Sequence, residues 1–246
     1  METGIQVSSL KPLLTTEAQV REACRKMADL GCSVVQVQWV DPAVPVQAVA
    51  AALRDAGLRS VSVQDFYETV RENSDYYLSL NQLTDGEWLC VSRVPDRLKS
   101  RAGLAAYVDE LRALQRRLDP LGQKLCFHPV AADYVPIDGV IPVEYLLEAM
   151  PGLQLCLDLY HLNRSGFQMP QWIRAHAGRI CMAHFKDGKD GRLVPAGQGD
   201  TDWRGVAAAC LEADVSYAFV EQETWDRDPF VCLGEALNWL NGQIAG

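Results

Sequence analysis

Four apolar runs in the second half of the chain end in groups that bind cations or carry protons. Leu125-Cys126-Phe127 runs into His128. Leu153-Gln154-Leu155-Cys156-Leu157 runs into Asp158, with His161 three residues on. Ile180-Cys181-Met182-Ala183 runs into His184, followed by Lys186 and Asp187. Tyr217-Ala218-Phe219-Val220 runs into Glu221, with Glu223 beyond it on the same face. An imidazole or carboxylate ending a buried strand is costly without a partner. Two imidazoles and two carboxylates meeting at one point suit a borderline divalent ion such as Mn²⁺, Co²⁺ or Zn²⁺. Taken singly, each residue has a plainer explanation. A strand histidine is often satisfied within a core, and an Asp or Glu at a strand end often caps a helix. Convergence carries the weight here. The chain has four histidines, three of them at expected strand ends. The fourth, His176, falls late in a short helix and fits a surface position at the negative end of the helix dipole.

The elements that must bring these groups together follow from periodicity and punctuation. Strands are expected at 5–10, 33–40, 59–66, 87–94, 124–130, 153–159, 179–185 and 217–223. Helices are expected at 17–30, 46–56, 68–84, 102–118, 142–150, 170–177, 202–213 and 228–240. The clearest is 102–118, with Leu104, Val108, Leu111, Leu114 and Leu118 at three-to-four spacing. A longer loop is expected at 131–141 and a Gly-rich loop at 187–200, its Gly197 and Gly199 allowing a tight turn before Asp202. Strict β-then-α alternation implies parallel strands with right-handed crossovers. Eight such units in 246 residues fit a single α/β domain, a (β/α)8 TIM barrel over 1–246, better than an open sheet. Its chemistry would sit at the C-terminal ends of the strands. Period two then aims Cys156, Asp158 and Tyr160 inward together, and likewise Met182, His184 and Lys186.

Composition narrows the function. A hydrophobic content of 48% supports a large core, and a net charge of −9 argues against a phosphate-backbone partner. No uninterrupted apolar segment is long enough for a membrane helix. The opening residues lack a basic stretch followed by an apolar one, so no signal peptide is expected. Eight cysteines, none in a CxxC pair, are expected to be reduced, buried and structural. The expectation is a cytoplasmic protein with a small-molecule partner, no nucleic acid, no membrane, and possible homo-oligomers.

The succession LDLYHLNRSG, RICMAHFKDGK, VPAGQGDTDWRGV and YAFVEQE resembles the xylose-isomerase-like TIM-barrel family of sugar-phosphate isomerases and epimerases, over roughly 124–233. In ketose 3-epimerases of that family a divalent metal (Mn²⁺, Co²⁺, Zn²⁺ or Mg²⁺) is held by Glu, Asp, His and Glu at four strand ends. The resemblance implies that Asp158, His184 and Glu221 fill the second, third and fourth places, and that His161 contacts substrate. The first place departs, with His128 standing where the epimerases have Glu. This is the pattern of the inosose-dehydratase-like members, whose further His is replaced here by Val130. One of the two carboxylates of a two-base epimerase is then missing.

The expected protein is a metal-dependent isomerase or epimerase of a small carbohydrate, a keto-sugar or keto-polyol, abstracting a proton α to a metal-polarised carbonyl. His128, Asp158, His184 and Glu221 would hold the metal. Glu221 is the candidate base and His128 the candidate acid where it does not ligate. His161 and Lys186 would hold substrate oxygens, and Trp39 could line a sugar face or serve the core. The alternatives are a keto-polyol dehydratase, such as one acting on an inosose, or a non-catalytic sugar-binding barrel. A metal-dependent endonuclease fits poorly with four histidines and the acidic balance.

Overall fold

The computed structural model describes residues 1–245. Eight strands close into a barrel: β1 (Glu2–Gln6), β2 (Val34–Gln38), β3 (Arg59–Phe66), β4 (Trp88–Ser92), β5 (Lys124–His128), β6 (Gln154–Asp158), β7 (Ile180–Phe185) and β10 (Tyr217–Val220). Two short strands, β8 (Asp187–Lys189) and β9 (Arg192–Val194), form a separate antiparallel hairpin. Around the barrel the order is β1-β10-β7-β6-β5-β4-β3-β2, with every pairing parallel. Strands covered by helices outside and packed side chains inside must be apolar on both faces. Accordingly, all five residues of β2 and of β4 are buried.

The main core lies between strands and helices. The helix Arg101–Leu118 is capped by Ser100, whose hydroxyl accepts from the Gly103 amide, and turns Leu104, Tyr107, Val108, Leu111, Leu114 and Leu118 toward the sheet. A second buried cluster fills the barrel interior, including Val34, Trp88, Cys90, Cys126, Cys156, Met182 and Phe219. All eight cysteines are buried and unpaired. Gly4 lets β1 close onto β2, because a Cβ there would meet the Val34 carbonyl oxygen at 2.1 Å. Among the described residues, no helix is long and apolar enough to cross a membrane.

Several expected elements shift. The first strand is Glu2–Gln6, and the residues after it form a 3-10 helix, Val7–Leu13. The Gln6 side chain accepts from the Ser8 amide and turns the chain there. The polar 68–84 segment divides at Asn73 into helices Tyr67–Glu72 and Ser74–Leu83. Strand β6 stops at Asp158, which caps an additional helix, Leu159–Arg164. Tyr160 therefore leaves the inward alternation and rides on that helix, half-buried beside Gly188. The Gly-rich loop contains the β8–β9 hairpin, and the helix after it starts at Val206 rather than Asp202.

Candidate metal centre at the barrel mouth

Each strand-end group arrives at the C-terminal mouth for a local reason. Cys126 and His128, Cys156 and Asp158, Met182 and His184, and Phe219 and Glu221 are pairs two residues apart, so the lower member packs in the interior while the upper one faces the mouth. One ligand atom from each of His128, Asp158, His184 and Glu221 lies within 4.8 Å of the other three, and all four residues are buried. Residues from four distant parts of the sequence thus meet around one point. Asp158 is both helix cap and site group: its Oδ1 accepts from the His161 amide at 3.0 Å, while Oδ2 has no hydrogen-bond partner. Glu221 divides in the same way. Its Oε1 accepts from the Ser8 hydroxyl at 2.9 Å, and Oε2 is left without a hydrogen-bond partner, 3.1 Å from His184 Nδ1.

The imidazoles are oriented from behind. The Ser8 amide donates to Gln6 Oε1, so the Gln6 amide group must donate onward, to Gln36 Oε1 at 2.8 Å. Gln36 Oε1 then accepts from His184 Nε2 at 2.5 Å. This chain places the proton on Nε2 and leaves the Nδ1 lone pair facing the site, 3.2 Å from His128 Nε2. Ser92 Oγ sits 3.1 Å from His128 Nδ1 and can accept its proton, which turns the Nε2 lone pair the same way. The site can therefore present two imidazole lone pairs and two orphaned carboxylate oxygens to one point. A buried set of acceptors with so few donors is costly unless a cation lies between them. This donor set fits a divalent ion of borderline hardness.

Electrostatics favour the same state. Lys186 is buried, with Nζ 3.5 Å from Glu221 Oε2, 3.8 Å from Asp158 Oδ2, and hydrogen-bonded to Glu223. Burial, the largest single influence, would raise the Asp158 and Glu221 carboxyls, but Lys186 together with the neighbouring imidazoles outweighs it and holds both below the usual carboxylate range. Burial would likewise strip the Lys186 proton, but Glu221, Asp158 and Glu223 keep it on. His128 is pushed down to about 3 by burial and by His184, so its ring is neutral. Glu223 is pushed up to about 7, by burial and then by the charge of Glu221. One ammonium thus faces three carboxyl groups, which leaves negative charge at the mouth.

His161 stands at the edge of the ring, its Nε2 3.7 Å from Asp158 Oδ2 and its Nδ1 without a partner. Trp39 is not among the ring's contacts. It lies across the mouth after β2, half-buried, with its ring centre 5.9 Å from that of Phe66. His176 is half-buried, stacked on Trp172 and bonded to Glu144, away from the mouth. Asp187 is buried and accepts from the amides of Gly188, Gly197, Gly199 and Thr201 and from Trp203 Nε1, so it organises the loop beside the site. The sequence assigns no part to Ser8, Gln36 or Ser92, and places Asp187 and Glu223 beside the strand ends without a role for either. The legible signal was Gln36 and Gln38 alternating with valines in VVQVQ, polar groups at positions otherwise apolar. A cavity of about 670 Å³ opens at the opposite end of the barrel, lined by residues such as Trp88, Lys124 and Gln154. It shares no residue with the ring, and catalytic groups of such barrels gather at the other face.

Comparison with known proteins agrees with this architecture. No curated protein matches the sequence. A sugar phosphate isomerase/epimerase from Parabacteroides distasonis superposes with a TM-score of 0.82 at 15% identity, covering 99% of this chain and 94% of that one. An L-ribulose 3-epimerase gives 0.77 at 16%, covering 100% and 95%. A D-psicose 3-epimerase in the presence of D-fructose gives 0.75 at 16%, covering the whole of both chains. At these identities the likeness speaks to the fold. The family model described as xylose isomerase-like TIM barrel matches residues 15–243, and with that span of the chain matched, the protein belongs to the xylose isomerase-like TIM-barrel family.

Proposed function

We propose that this protein is a divalent-metal-dependent isomerase or epimerase acting on a small keto-sugar or keto-polyol. The observation that carries the proposal is the buried ring of four acceptor atoms at the barrel mouth, two of them carboxylate oxygens without hydrogen-bond partners. His128 Nε2, Asp158 Oδ2, His184 Nδ1 and Glu221 Oε2 would hold the ion. When bound, a divalent ion supplies Lewis-acid polarisation of a substrate carbonyl.

The chain's own groups do the rest. Lys186 donates to a substrate oxygen next to the carbonyl, and its charge steadies negative charge that develops there. His161, partly exposed at the rim, donates to a hydroxyl. The proton α to the carbonyl passes to Glu223. Sequence reasoning assigned that step to Glu221, but Glu221 has one oxygen bonded to Ser8 and a depressed proton affinity. Glu223 has a free Oε2, partial exposure and a carboxyl near 7, which suits a group that must take and return a proton near neutrality. Return to the neighbouring carbon completes an isomerisation. Return to the opposite face completes an epimerisation and needs a second donor.

A dehydratase is the second proposal, favoured by His161 Nδ1, which lacks a partner and could protonate a leaving hydroxyl. Incubation of the Mn²⁺-loaded protein with a panel of ketoses and inososes in deuterated water separates the outcomes. Deuterium at the α carbon without water loss supports the isomerase or epimerase, and loss of the hydroxyl supports the dehydratase. Absence of both, with metal bound, leaves a non-catalytic barrel. Glu223→Gln is expected to slow exchange by about 10²–10⁴-fold while metal binding persists.

A further inference from the structure

The barrel mouth divides into two halves. The ring comes from β5, β6, β7 and the end of β10, four neighbours in barrel order. The other four strand ends, also neighbours, carry Lys11 beyond β1, Trp39 after β2, Phe66 at the end of β3 and Arg93 after β4. These side chains form an arc. Lys11 Nζ lies 4.7 Å from the Trp39 ring centre, the Trp39 and Phe66 rings are 5.9 Å apart, and the Arg93 guanidinium lies 4.4 Å from the Phe66 ring. Both cations are exposed and both rings are half-buried. On the outer helices, cations such as Arg21, Arg117 and Arg174 rest on carboxylates. Lys11 and Arg93 rest on ring faces, which attract a cation without neutralising it. Lys11 acts on the carboxyl of buried Asp65 and Arg93 on those of Asp96 and Asp133 from beyond ion-pair distance, so neither cation is locked in a salt bridge.

The backbone points to the same two strand ends. Among the described residues, six besides glycine have positive φ. Four are aspartates, whose short polar side chains tolerate that region. The other two are Trp39 at 58° and Arg93 at 52°. Glycine would adopt these angles without strain, so large side chains here carry a cost that a turn does not require. Strain of this kind gathers at ligand clamps. Arg93 is also tied to the ring half: its amide donates to the His128 carbonyl at 3.0 Å, and the preceding Ser92 touches His128 Nδ1. A cavity of about 300 Å³ opens on the Phe66 and Arg93 side of the arc, lined also by Arg97 and by the carboxylates Glu68 and Asp96.

We propose that this arc is a second subsite, taking a terminal oxyanion of the substrate, so that the natural keto-sugar is an anionic one carrying a phosphate monoester or a carboxylate. The proposal rests on the preceding reading for the carbonyl end. The rings cover the carbon chain, and Lys11 and Arg93 close on the anion, Arg as a planar fork and Lys as a point charge.

Metal-free protein separates the subsite from the ring. Inorganic phosphate is expected to raise the unfolding temperature of the wild type beyond chloride at equal ionic strength, and the Lys11→Met/Arg93→Gly variant is expected to lose that increment. Both positions are exposed, and glycine relieves the Arg93 backbone, so the variant should remain folded. Calorimetry on Mn²⁺-loaded protein then compares D-fructose, D-fructose 6-phosphate and the 6-carboxylate analogue. The wild type is expected to bind one of the charged sugars at least 10-fold more tightly than fructose, and the sugar preferred identifies the anion. The variant should lose the preference while binding Mn²⁺ as before. A phosphate effect that is absent, or equal in wild type and variant, overturns the subsite. Loss of Mn²⁺ binding by the wild type overturns the metal reading instead.

Discussion

His184 presents Nδ1 to the mouth because a backbone amide three hydrogen bonds away leaves it no alternative. Groups behind a ligating histidine typically set metal affinity by 10- to 100-fold when removed. Gln36→Leu is therefore expected to weaken Mn²⁺ binding by about 10–100-fold in a calorimetric titration, with cooperative unfolding retained. His128 yields a pH prediction. Its folded-state pKa, about 3, lies below the 6.5 of a free imidazole, so between those values the unfolded chain takes up a proton that the folded chain refuses. The His128 contribution to stability is full above pH 6.5 and is lost as pH falls toward 3, with a slope approaching ~1.4 kcal/mol per pH unit. Asp158 and Glu221, held low, add their own loss only below about pH 4. Glu223, held near 7, and Asp133, held near 6, take up protons on folding over the same window and oppose this slope. The His128 contribution is therefore read as the difference between wild type and His128→Gln in chemical denaturation of metal-free protein from pH 7 to 5. At this scale the four ring positions were legible because period two and strand ends locate them. Ser8, Ser92 and the tautomer were not, because hydrogen-bond partners across a barrel leave no mark in local sequence.

Between residue and barrel, the 187–203 segment shows how a loop is built on one carboxylate. Five donors converge on Asp187, and Gly199 passes so close that a Cβ would lie 2.2 Å from Asp187 Oδ1 and 2.6 Å from the Gly188 carbonyl oxygen. Gly199 thus serves close approach to Asp187, while Gly197, at a φ of 86°, makes the turn expected of it and lies against the Trp239 ring. Gly199→Ala is expected to destabilise by about 1–3 kcal/mol through overpacking. Asp187→Asn should cost roughly 2–4 kcal/mol, since an amide cannot accept all five bonds with the strength of a carboxylate. Equilibrium denaturation measures both, and limited proteolysis should locate the new cleavage within this loop. The β1 boundary failed for a similar reason. Ile5 through Leu10 is apolar enough for a strand, but Gln6 turns the backbone so that the Ser8 hydroxyl reaches Glu221 and the Ser9 hydroxyl accepts from the Gln222 amide. Hydroxyls placed this way satisfy the end of the neighbouring strand β10, a tertiary demand that overrides local propensity.

Across the whole molecule, β/α alternation and length sufficed for the barrel, because few topologies accept eight right-handed units in this many residues. They were silent about how the mouth is shared between a ring on one half and the Lys11–Trp39–Phe66–Arg93 arc on the other. That division depends on loop conformations such as the left-handed backbone at Trp39 and Arg93. The closed barrel would also make the ring a thermodynamic fastener for an ion, since its four candidate ligands span residues 128 to 221 and meet only when β5, β6, β7 and β10 are all in place. An ion that binds this folded set and not the unfolded chain stabilises by about 2.7 kcal/mol at one hundred times its dissociation constant. For a chain of this size that corresponds to a rise of roughly 5–10 °C in Tm. Chelation should remove it and Mn²⁺ should restore it. Asp158→Asn and Glu221→Gln should melt at the same temperature with and without the ion. A wild-type Tm indifferent to both chelator and metal would mean that Lys186 alone compensates the ring carboxylates, and that this mouth evolved around an ammonium rather than a metal.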